Sequence, residues 1–114
     1  MQKINTVYEL EDINGEPLKL TLTYRNLYQL KRKHPQEYAE YNKIMTKGSQ
    51  DEFDNITVLY TAYLCELISE TGDTEGAMSF DEFLDILPFD RVEVSRAVGM
   101  LIAPKKTMAS ADLS

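Results

Sequence analysis

The stretch Tyr8-Glu9-Leu10-Glu11-Asp12-Ile13-Asn14-Gly15-Glu16-Pro17-Leu18-Lys19-Leu20-Thr21-Leu22 decides the fold class. Leu18, Leu20 and Leu22 alternate with Lys19 and Thr21, the period of a half-buried strand. Ile4, Thr6, Tyr8 and Leu10 repeat the alternation more weakly, and Asn14-Gly15 between the two runs is a strong turn signal. Together they predict a β-hairpin over residues 3–24. The faces choose the register. A two-residue Asn14-Gly15 loop would set Glu11 against Leu18 and Glu9 against Leu20, mixing polar and apolar side chains on one face. A three-residue loop, Ile13-Asn14-Gly15, sets Leu10 against Leu18, Tyr8 against Leu20 and Thr6 against Leu22. It predicts a G1 bulge with Gly15 left-handed. A lone hairpin is marginal in water, so helices must cover its leucine face.

The rest of the chain supplies them. Tyr24 to Lys33 reads as one helix, and Pro35 opens a second, because proline biases His34 away from helical geometry and suits a first helical position. Tyr38, Tyr41, Ile44 and Met45 form a stripe on the second, which Gly48 stops. Residues 51–71 read as the central helix. Phe53, Ile56, Tyr60, Tyr63, Leu64, Leu67 and Ile68 make its inward stripe, and Val58, Leu59, Ala62 and Cys65 make its other faces apolar too. Ser79 and Glu82 form a capping box for a short helix to Leu87, ended by Pro88. Asp90 and Glu93 open a last helix from about Arg91 to Ala103, with Val94, Ala97, Val98 and Leu101 inward. The expected fold is α+β: an N-terminal two-stranded antiparallel hairpin on a bundle of about four to five helices. A single domain over 1–104 and a flexible tail over 105–114 complete the expected organisation.

Composition narrows the functions. The chain has 114 residues and a net charge of −7, which argues against nucleic acid or an anionic membrane as the main partner. One cysteine excludes an internal disulfide and suits a reducing compartment. One histidine removes most routes to a metal site or to histidine-based catalysis. Met1 to Asn5 lacks the basic-then-apolar pattern of a secretory signal, and the apolar run Val58 to Cys65 is too short to span a bilayer. The expected location is therefore cytoplasmic.

Four features carry candidate sites. Thr71 to Glu82 can be aligned with a calcium-binding EF-hand loop, with Asp73, Glu75, Ser79 and Glu82 as ligands and Gly76 at the bend. Thr71 stands where the first aspartate belongs, and the same residues also read as solvated loop charges and a helix cap. Lys31-Arg32-Lys33-His34 reads as a phosphate-binding patch or, more simply, as cations at a helix C-terminus. The stripe Tyr38, Tyr41, Ile44 and Met45 is either core or an adaptable interface. Finally, residues 19–47 hold seven cations against Glu37 and Glu40, a net +5 inside a chain of net −7, so the remainder carries −12. Such segregation suits self-association or a charged partner, or else pairs off within the molecule. With no glycine-rich phosphate loop and no nucleophile–base pair, and Cys65 in an apolar helix, the chain reads as a non-enzyme without cofactors.

Several runs, in order and spacing, resemble the tail assembly chaperones of long, non-contractile-tailed phages of Gram-positive bacteria. They are Asn26-Leu27-Tyr28-Gln29-Leu30, Pro35-Gln36-Glu37-Tyr38, Tyr41 to Gly48, Asp54-Asn55, Leu59-Tyr60, Met78 to Leu84, Leu87-Pro88 and Pro104-Lys105-Lys106. The resemblance covers nearly the whole chain to Lys106. It implies a non-catalytic role: binding the tape measure protein, keeping it soluble and helping recruit tail tube subunits, in the cytoplasm of the host and outside the mature virion. It implies the tape measure protein and the tail tube protein as partners. Independently, the hairpin's edges and the charge segregation predict head-to-tail self-association through the hairpin edge or the charge-segregated faces. The interface candidates are Tyr38, Tyr41, Ile44, Met45, Lys31, Arg32 and Lys33. Many members also have a longer form made by programmed frameshifting. Lys105-Lys106 is where an A-rich slippery run is expected, and a gene lacking such a run would remove that expectation.

Overall fold

The structure, a computed structural model, describes residues 7–103. Its order is β1 (Tyr8–Glu11), β2 (Pro17–Leu20), α1 (Tyr24–Lys33), α2 (Pro35–Lys47), α3 (Glu52–Thr71), α4 (Phe80–Ile86) and α5 (Arg91–Ile102). The fold is α+β, a two-stranded antiparallel hairpin with five helices. The expected flexible tail, the Thr6–Leu22 pair and the ends of the 1–104 domain lie outside the described residues.

The hairpin takes the register that buries leucine. Tyr8 lies opposite Leu20 and Leu10 opposite Leu18, and Leu10, Leu18, Leu20 and Leu22 are all buried. At the turn, the Gly15 N–H donates to the Asp12 carbonyl and the Asp12 N–H to the Glu16 carbonyl, each at 2.9 Å. Gly15 sits at φ +80°, the left-handed position the three-residue loop requires. Asp12 Oδ1 accepts from the Asn14 and Glu16 amides at 2.7 and 3.0 Å, so its side chain holds the loop closed.

Local chemistry sets the helix ends. Thr23, Asp51, Ser79 and Asp90 cap α1, α3, α4 and α5 by accepting a backbone N–H three residues on. Only Ser79 and Glu82 complete the reciprocal box. Glu93 instead turns to Tyr8 and Arg96. Gly48 and Gly72, both at positive φ, end α2 and α3.

Helix α3 is the axis of the core. Val58, Leu59, Ala62 and Cys65 are buried together with Ile56, Leu64 and Ile68, because β2, α1, α2 and α5 surround it. Phe53 departs from the expected inward stripe and is 58% exposed. It belongs to the first turn of α3, at the edge of the packed layer, where no helix covers it.

Candidate functional site

The expected basic patch is drawn into the fold at one end. Lys33 Nζ donates to the Gly72 carbonyl at 2.7 Å, placing its charge at the C-terminus of α3, where the helix dipole is negative. His34 Nε2 contacts Thr74 Oγ1 and lies 3.9 Å from Asp73 Oδ1. Lys31 sits over the Tyr38 ring at 5.7 Å and Arg32 over the Tyr28 ring at 5.8 Å. Lys31, Arg32 and Lys33 all remain exposed. Among the described residues, no lysine or arginine of 19–47 forms an ion pair with a carboxylate. The lysines and arginines of the band thus make no direct contact with the described carboxylates of the acidic remainder.

The tyrosine stripe is divided. Tyr41 and Ile44 are each 8% exposed and belong to the core. Buried there they offer little surface to a partner, which favours the core reading of the stripe over their expected place in an interface. Tyr38 is half-buried against that core, and Met45 is exposed. The reason is the rotation of α2: the side of the helix bearing Tyr41 and Ile44 lies on α3, and Met45 falls one step beyond it.

The loop after α3 is tied down by tyrosines. The Tyr60 hydroxyl donates to the Met78 carbonyl at 2.7 Å, and the Tyr63 hydroxyl accepts the Met78 N–H at 2.9 Å. Both rings also pack on Phe83, with centroids 5.3 and 5.7 Å away. Of the four acidic-loop candidates, Ser79 and Glu82 are engaged with each other's backbone at the start of α4. Asp73 Oδ1 accepts the Thr74 N–H, and Glu75 is exposed. Among the described residues, no three metal-binding side chains converge.

Sequence reasoning missed one apolar groove. A groove of about 290 Å³ runs between the start of α3 and the α4–α5 connection. Ile56, Leu84, Leu87 and Val94 line it, and Phe53 and Phe89 stand at its rim. Phe89 is 87% exposed. The Arg91 guanidinium lies 5.6 Å from the Phe89 ring and pairs with Glu52 at 3.1 Å, so the rim is built from α3 and α5 together. The available signal was Phe89 itself, an aromatic residue between Pro88 and Asp90 in a short connection. On α1, Tyr24 and Tyr28 are also exposed, one turn apart.

Comparison of the chain with protein-family models, with curated proteins and with solved structures gives no match. No helix among the described residues is long and apolar enough to cross a membrane.

Proposed function

We propose that this chain is a tail assembly chaperone of a long, non-contractile-tailed phage: a non-catalytic protein that binds the tape measure protein and keeps it soluble. The observation that carries this reading is the groove between Phe53 and Phe89, an apolar slot on a strongly acidic protein. An amphipathic helix docks by laying its apolar face into such a slot. The surrounding carboxylates keep the complex in solution through net charge. The sequence resemblance supplies the identity of the client, and the mainly helical fold is compatible with it.

In this role the protein acts in the host cytoplasm, helps bring tail tube subunits to the covered tape measure protein, and leaves before the virion is complete. Several copies cover one long client, with exposed cations of the 19–47 band meeting acidic surface on the next copy.

Co-expression with a fragment of the tape measure protein tests the proposal. The fragment is expected in the soluble fraction with the native chain and in the pellet without it. Phe53→Glu and Phe89→Glu change exposed positions, so each variant is expected to fold and to lose the solubilising effect. A fragment that stays insoluble beside the native, folded chain would overturn the reading.

A further inference from the structure

Among the described residues, β1 has one paired edge and one open edge. The Asp12 N–H donates to the Glu16 carbonyl, so alternation makes Leu10–Leu18 and Tyr8–Leu20 the next hydrogen-bonded pairs. The backbone groups of Val7, Glu9 and Glu11 then point away from β2. Of the equivalent outward positions on β2, two are closed and the third is Lys19. The Thr21 N–H donates to the Ala62 carbonyl at 3.2 Å, and Pro17 has no N–H to offer. On the β1 side, the Ile13 N–H is bound to the Ile86 carbonyl at 2.9 Å. Among the described residues, the outward positions left unbonded are thus the run 7–11 on β1 and the single Lys19 on β2, which lies between two closed positions.

Beside that open stretch lies a groove of about 300 Å³. Its inner wall includes Leu87 and Val94, and its rim carries Glu9, Glu11, Asp90 and Glu93. Four carboxylates face Arg96, which pairs with Glu93 at 2.8 Å, and Lys19, which sits across the ladder from Glu9. The rim is therefore net negative. An incoming strand would present alternate side chains to the two sides of the sheet. On the side of Glu9 and Glu11 it meets carboxylates, and on the side of Leu10 it meets Leu87 and Val94.

We propose that the open edge of β1 is a docking site for an extended segment of a partner polypeptide in which lysine or arginine alternates with apolar residues. Main-chain hydrogen bonds to Glu9 and Glu11 supply the pairing, the acidic rim selects the cations, and the groove takes the apolar side chains. This goes beyond the chaperone reading, whose client enters as a helix at the Phe53–Phe89 side of an adjoining groove that shares Leu87 and Val94 with this one.

The test uses the full chain and a fluorescein-labelled, end-blocked heptapeptide of alternating lysine and valine, followed by fluorescence anisotropy. Saturable binding is expected. It should weaken by about tenfold or more in the double variant Glu9→Lys/Glu11→Lys. It should weaken at least as much for the same peptide N-methylated on alternate backbone amides, which keeps every charge but removes the donors. A glutamate–valine peptide should not bind. Both glutamates are exposed, so circular dichroism is expected to report a native variant, and the methylated peptide tests the edge with no substitution at all. No binding, or equal binding of the methylated peptide, overturns the proposal. So does a dimer in sedimentation velocity that the double variant dissociates while the peptide fails to bind, because the occupant is then a second copy of this chain.

Discussion

The Tyr8 hydroxyl donates to Glu93 Oε2 at 2.7 Å, joining β1 to α5 across 85 positions of sequence. The bond closes the molecule, since the hairpin leads and α5 ends the described fold. It also explains why Glu93 does not complete a capping box with Asp90: its carboxylate is shared between Tyr8 and Arg96. Tyr8→Phe is expected to cost about 1 kcal/mol in urea unfolding with an unchanged m-value. In a double-mutant cycle with Glu93→Gln, the two losses should not add. Full additivity would mean the bond does not form in solution.

Phe83 is fully buried, with the Tyr60 and Tyr63 rings packed on it. Those same tyrosines hold Met78 through their hydroxyls. Phe83→Ala should therefore cost about 3–5 kcal/mol and loosen the loop before α4. Phe83→Leu should cost less than half of that. Hydrogen exchange at the Met78 amide reads the second effect, and an amide left fully protected in a folded Phe83→Leu or Phe83→Ala protein would refute the coupling.

Burial pushes the Cys65 thiol up to about 12 from an ordinary value of 9.0, and burial likewise takes the Tyr41 hydroxyl from 10.0 to about 12. Both groups hold their protons more tightly folded than unfolded. Their contribution to stability is complete below about pH 9 and is lost as pH rises toward 12. Chemical denaturation across that window should show falling stability. Cys65→Ala should flatten the first part of the fall. At pH 8 the native thiol should resist iodoacetamide, while the unfolded chain alkylates readily.

Glu66 is a nearly buried carboxyl on α3, raised above its ordinary value first by burial and then by Glu70, with Lys19 opposing. The folded state thus favours its protonated form. That contribution is present below the unfolded value, 4.5, and disappears as pH rises through the higher folded value. Glu66→Gln keeps the shape and removes the titration. It should stabilise the protein at pH 7 and leave it nearly unchanged at pH 4. Equal effects at both pH values would show that Glu66 does not titrate abnormally.

Ser79→Ala removes the side-chain half of the box that starts α4 and should cost about 1 kcal/mol. The loss should be the same with and without calcium, because Glu82 is already committed to the Ser79 N–H. A calcium-dependent melting shift in the native chain would restore the loop as a metal site.

Much of the fold was legible because its signals are local. The Asn14-Gly15 turn, Pro35, Gly48, Gly72, the capping serine and aspartates, and the leucine alternation act within a few residues; they place the five helices to within about a residue and fix the hairpin's register, while β2 ends at Leu20, short of the alternation that runs to Leu22. The candidate site was legible only in part. Periodicity marked Tyr38, Tyr41, Ile44 and Met45 as one stripe but not which of them α3 would cover.

By itself, then, the sequence determined the hairpin register, the helix boundaries and the separation of a +5 band from an acidic remainder. The physical reason is that caps, turns and side-chain alternation are short-range. Only the tertiary structure decided that Tyr41 is core and Phe53 is rim, that Tyr60 and Tyr63 hold the loop at Met78, and that one edge of β1 stays open. Those outcomes depend on how far α3 projects past its neighbours and on which backbone groups β2 and α4 satisfy. Such distances exist only between elements that are remote in sequence.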